Sequence, residues 1–162
     1  VAPFKIDRMT WIKPSFLWMM YRSGWATKPG QERVLAIDIT RSGFDWALRN
    51  SCLSAFDGTL HDSQEQWSER LSASPVRIQW DPERDLALRP LPHRSIQIGI
   101  SGIAVRQYVQ EWITGITDCT DLAHEIRALV AAGKKDAATE LLPPMNDYPA
   151  GPDIRGVIGS TG

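Results

Sequence analysis

Residues 8–25, RMTWIKPSFLWMMYRSGW, constrain the fold of this chain more than any other stretch. They hold three of the seven tryptophans, Trp11, Trp18 and Trp25, and every charge in them is positive. Asp7 precedes the run, and Glu32 is the next carboxylate. An aromatic segment that is basic wherever it is charged offers apolar area to a core and, at its margin, cations that could meet an anion or stack on a flat ring. Pro14 suits the first turn of a helix, where its missing N–H is no loss, and Gly24 suits a left-handed stop. The spacing predicts a helix over 14–23. Phe16 to Tyr21 are apolar on every side, so that helix is expected to be buried and central. Ser15, Trp18 and Arg22 fall three and four apart, on one helix face.

The 162-residue length suits one domain that buries roughly two thirds of its unfolded surface. A net charge of -1 and a pI of about 6.3 exclude a molecule that binds nucleic acid through its overall charge, and leave only a local patch for that role. Cys52 and Cys119 are far apart and form no CxxC, which points to a reducing, cytoplasmic compartment rather than a disulfide or zinc framework. His61, His93 and His124 are scattered without metal spacing, so no metal is expected. No apolar run reaches the ~18 residues of a membrane span. The chain opens at Val1 rather than Met, and a further N-terminal piece is expected ahead of it.

In order, VLAIDIT (34–40), VRIQW (76–80) and RSIQIGI (94–100) alternate as strands. Helices are expected over 43–50 with Ser42 as cap, 63–73, 102–116 with Ser101 as cap, from Asp118 or Thr120 to about 132, and near 135–142. Residues 51–61 read as loop, and DPERDLALRPLPH as a connection turning at Asp81-Pro82. The expected architecture is α+β: about six helices around a single small sheet of three or more strands, over residues 1–142. Residues 143–162 hold four prolines and four glycines and read as a tail, disordered or ordered on contact.

Several groupings could carry chemistry. Gly99, Ser101 and Gly102 sit where a strand meets a helix, a place for an anion, but match no phosphate-loop fingerprint. QWDPER (79–84) places Asp81, Glu83 and Arg84 after a strand, and either carboxylate could act as general acid or base. If the strands of 76–80 and 94–100 pair, Gln79, Glu83, Arg94 and Gln97 are expected to share a sheet face.

Through RMTWIKPSFLWMMYRSGW, QWDPER, RSIQIGI and YVQEWI, the chain resembles the family called domain of unknown function 4291 over nearly its whole length. That resemblance implies identity rather than activity. It also implies a preceding arginine- and tyrosine-rich strand and helix, without which any site that segment helps to build is incomplete. The order of elements is further similar to that of ADP-ribosyltransferase-like domains, which hold NAD against a split sheet and often place a glutamate on a late strand. Here the comparable strand offers Gln97, with Glu83 nearby, and these two are the catalytic candidates that the likeness implies.

The reading that results is a domain binding a nucleotide-like ligand, NAD or nucleic acid, between the first helix and the sheet. Arg8, Trp11, Lys13, Ser15, Trp18 and Arg22, with Gln79 and Arg94, are the candidate ligand-binding residues, and Glu83 and Gln97 the catalytic ones. The alternative is a non-catalytic protein-interaction module whose tryptophans are core and whose proline-rich tail meets a partner.

Overall fold

The computed structural model describes residues 4–160. The fold is α+β, with two sheets instead of one. In the larger, β1 (Thr10–Ile12), β5 (Pro90–Ile100), β4 (Val76–Arg84) and β3 (Ser51–Leu53) lie side by side in that order. β5 runs antiparallel to both β1 and β4, and β3 is parallel to β4. The smaller is an antiparallel ribbon of β2 (Leu35–Ile39) and β6 (Ile113–Asp118).

Helix α1 begins at Phe16 and ends at Ser23. Pro14 therefore lies outside it, because the next residue is the better cap. Ser15 takes an extended backbone and its hydroxyl accepts the Trp18 N–H at 3.1 Å. Gly24 closes the helix at φ 59° as expected, and the left-handed path continues through Trp25 and Ala26, both at φ 58°. Two non-glycine residues in that region cost backbone energy. Both are buried, and Ser23 Oγ accepts the Ala26 N–H at 3.0 Å. The helix is not the buried centre that its composition suggested. Met20 and Ser23 are buried, whereas Tyr21 and Arg22 are exposed.

Two apolar cores divide the molecule. Val76, Ile78, Ile98 and Ile100 line the inner face of the larger sheet, under Ala47 and Leu48 of α2 (Arg41–Arg49), Val105 of α4 (Ile103–Gln107) and Tyr108 and Trp112 of the π-turn after it. Each valine, leucine and isoleucine among them contributes about 1.5–3 kcal/mol on burial. The second core gathers Met20, Trp25, Ala26 and Val34 with Ala123 and Ile126 of α5 (Thr120–Ala131) and Ala138 of α6 (Lys135–Glu140).

Several expectations are corrected. Residues 102–116 are not one helix: the π-turn (Tyr108–Trp112) ends the helical part and Ile113–Asp118 pair with β2. Ile113, Thr114, Ile116 and Thr117 are β-branched and favour a strand once a partner edge is present. α2 is capped by Thr40, not Ser42, the Thr40 Oγ1 accepting the Gly43 N–H at 3.2 Å. Ser101 caps nothing; its hydroxyl donates to the Pro75 carbonyl at 3.1 Å. Asp81 and Pro82 lie within β4, opposite Ser95 and Arg94, at the start of an irregularity where a missing N–H is tolerated. The chain reverses later, where the Asp85 carboxylate accepts the Ala87 and Arg89 N–H groups. Residues 51–53, read as loop, are the buried β3. Finally, residues 152–158 of the expected tail form α7 (Pro152–Ile158), with Pro152 in its first turn and Gly159 as its left-handed stop. Ile154 and Ile158 enter the first core. α3 (Gln64–Ala73) matches the helix expected over 63–73, capped by Ser63.

Candidate functional site on the outer face of the sheet

Alternation along paired strands places every second residue on one face. The inner face holds Ile96, Ile98, Ile100, Val76, Ile78 and Trp80, so the outer face holds what falls between them. Its rows are Trp11–Gly99–Arg77, then Gln97–Gln79, then Ser95–Asp81. Gly99 leaves room for the indole of Trp11: a Cβ added there would meet Cη2 and Cζ2 of Trp11 at 2.9 Å and Sδ of Met9 at 2.8 Å. The Trp11 ring thus lies against the sheet backbone with 40% of the residue exposed, one row from the facing amides of Gln79 and Gln97. At the far side of the first row, opposite Arg77, burial pushes the Cys52 thiol up, which keeps it an inert side chain rather than a nucleophile.

Beside this face, the N-terminus of α1 meets β4 and β5. Lys13 Nζ donates to the Ser95 carbonyl at 2.9 Å, lies 3.4 Å from the Asp81 carboxylate and sits 4.8 Å from the centre of the Trp18 ring. Its side chain is 2% exposed. Burial holds the ammonium below its ordinary pKa, with Asp81 and then Glu83 pulling the other way. Glu83 is buried, and its Oε1 accepts the Ser15 hydroxyl at 2.6 Å and the Arg84 N–H at 2.8 Å, while Oε2 has no partner among the described residues. The hydroxyl of Ser95 is likewise buried and without a partner there. The Arg84 guanidinium lies 3.7 Å from the centre of the Tyr21 ring.

The ten candidate residues therefore fall into three groups. Trp11, Gln79 and Gln97 share the outer face. Lys13, Ser15, Trp18 and Glu83 form the junction beside it. Arg8, Arg22 and Arg94 join neither. Arg8 is exposed, and Arg22 reaches Gln31 at 3.4 Å. The expected shared face of Gln79, Glu83, Arg94 and Gln97 is corrected here. Arg94 is three residues from Gln97, an odd step that turns it to the opposite face, and its guanidinium donates to the Trp80 carbonyl at 3.0 Å. Glu83 sits at the strand irregularity and turns to Ser15.

Two concavities lie elsewhere, and none of the ten residues lines either. One, of about 270 Å³, is bordered by the start of α2 and the π-turn, with Trp46, Gln107, Glu111 and Trp112 in its wall. The other lies by Glu32, Arg33 and Asp118. The first was hidden in the sequence because YVQEW reads as ordinary helix. Its only signal was a glutamine and a glutamate four apart beside a tryptophan. Among the described residues no group of three His, Cys, Asp or Glu is arranged to hold a metal ion, and no helix is long and apolar enough to cross a membrane.

The family model described as Domain of unknown function (DUF4291) matches residues 1–148. No curated protein and no solved structure shows a significant match.

Proposed function

This chain belongs to the DUF4291 family, and from that premise and the geometry of the sheet we propose that it binds a flat, nucleotide-like ligand on the outer sheet face. One observation carries the reading: the Trp11 indole rests on Gly99 while 40% of the residue stays exposed, next to the opposed residues Gln97 and Gln79. An indole presents a π-face to any base, and paired amides supply both donors and acceptors for a base edge. Arg77, in the row of Trp11, supplies a cation for a phosphate. Lys13 plays a different part, since Ser95 and Asp81 already occupy its ammonium. It orders the margin of the face instead of meeting the ligand. NAD is one ligand of this class, and an ADP-ribosyltransferase-like reaction is the narrower form of the proposal, with Gln97 and Glu83 as its candidate residues.

Titration of the protein with NAD, AMP and short single-stranded oligonucleotides, followed by calorimetry, tests this. Binding of at least one is expected, weakened roughly tenfold or more in Trp11→Ala, the loss expected for one stacking partner. If none binds at millimolar concentration, or if Trp11→Ala binds as the wild type does, the proposal fails.

A further inference from the structure

The cleft between α2 and the π-turn is chemically unlike the sheet face. Gln107 ends α4, and the five residues after it widen into a π-turn, a distortion often found at functional sites. The Oε1 of Gln107 is buried and has no hydrogen-bond partner among the described residues, and the residue lines a cleft of about 270 Å³, so a turn of the side-chain amide presents that oxygen to the cleft. Glu111 follows one turn later on the same wall. Its carboxylate is exposed and makes no ion pair or hydrogen bond among the described residues. Trp46 and Trp112 stand beside them, ring centres 5.6 Å apart and planes tilted by 53°. Gly43 permits this, because a side chain there would collide with the Trp112 ring.

The cleft thus offers an amide oxygen without a donor, a carboxylate without a cation, and two indoles. Among the described residues no Lys, Arg or His lines it. We propose that it is a binding site for a small ligand carrying a primary ammonium group, the N–H donors meeting Gln107 Oε1 and Glu111 and the alkyl part lying on Trp46 and Trp112. An ammonium satisfies the lone oxygen, pairs the carboxylate and is attracted to indole faces. The partial positive charge at the amino end of α2 opposes a cation, but its Gly43 and Phe44 N–H groups are already bonded to Thr40, and a whole carboxylate outweighs about half a charge. A phosphate-bearing ligand would face Glu111 with no cation to offset it. The volume, below the roughly 300–1,000 Å³ of drug-sized pockets, suits a short amine rather than a dinucleotide.

The test uses n-butylammonium as probe and n-butanol as its neutral counterpart, with ¹H–¹⁵N NMR on the full chain. Saturable binding on the order of 1 mM is expected, with shifts at the Trp46 and Trp112 indole N–H and the Gln107 side-chain amide. Butanol should bind at least about tenfold more weakly, and Glu111→Gln should lose about tenfold for the amine alone, the difference between charged and neutral hydrogen bonds. Glu111 is exposed, so that variant tests the site without burdening the fold. Absence of binding at about 20 mM, equal binding of butanol, shifts confined to other residues, or an unchanged Glu111→Gln would each overturn the proposal.

Discussion

The Ser15 hydroxyl does two things at once: it donates to Glu83 Oε1 at 2.6 Å and accepts the Trp18 N–H at 3.1 Å. A helix cap is thereby bolted to a strand 68 residues further along the chain. Ser15→Ala removes the cap and leaves a buried carboxylate with only the Arg84 N–H as donor. The expected cost is about 2–4 kcal/mol, the sum of a lost cap and an unmet buried acceptor. Urea denaturation of the variant measures it, and a loss below about 1 kcal/mol would reduce this contact to an ordinary surface cap.

Lys13 makes stability depend on alkaline pH in a definite sense. Burial lowers its pKa below the ordinary 10.5, so the unfolded chain holds this proton more tightly than the folded one. Stability contributed here therefore rises as pH climbs through the lowered pKa towards 10.5. Subtracting the stability curve of Lys13→Met from that of the wild type isolates the effect. The difference should grow with pH over that window; a flat or falling difference would contradict the buried ammonium.

Gly43 and Trp112 are in direct opposition across the wall of the α2 cleft. In Gly43→Ala the new methyl meets the ring, and overpacking of this kind costs about 1–3 kcal/mol. The near-ultraviolet circular dichroism of the Trp46–Trp112 pair should change together with the thermal midpoint. A variant as stable as the wild type, with its aromatic signal intact, would show that the two elements part easily.

Helix α7 belongs to the first core through Ile154, which is 1% exposed. Ile154→Ala should cost about 2–5 kcal/mol, as other large-to-small changes at sealed sites do. If chemical denaturation shows less than about 1 kcal/mol, the C-terminal helix is a loosely held appendage.

Legibility varied with how local the cause was. Gly24 and Gly133 stop helices where they were expected to, because a left-handed residue is cheap only for glycine. The strands through Ile37, Ile78 and Ile98 followed from alternation. Ile113–Asp118 did not, because Val105, Tyr108, Val109 and Trp112 carry a helical period straight up to it. The C-terminal segment was hidden by its own prolines and glycines, two of which, Pro152 and Gly159, are the start and stop of α7. Within the candidate site, the pairing of Gln79 with Gln97 was readable from two strand patterns. The opposite facing of Arg94 was readable too, since an odd spacing turns a strand residue over.

The α+β class, the position of most helix ends and the membership of a family could be read along the chain, since caps, periodicity and motif are properties of neighbouring residues. That β2 leaves the main sheet for β6, that Lys13 is sealed against Asp81, and that Arg22 points away from both emerged with the packing of the folded chain. Strand pairing and side-chain burial are settled by competition among partners distant in the chain. In that competition, Trp11 came to rest on Gly99, 88 residues away, and no local pattern announces such a contact.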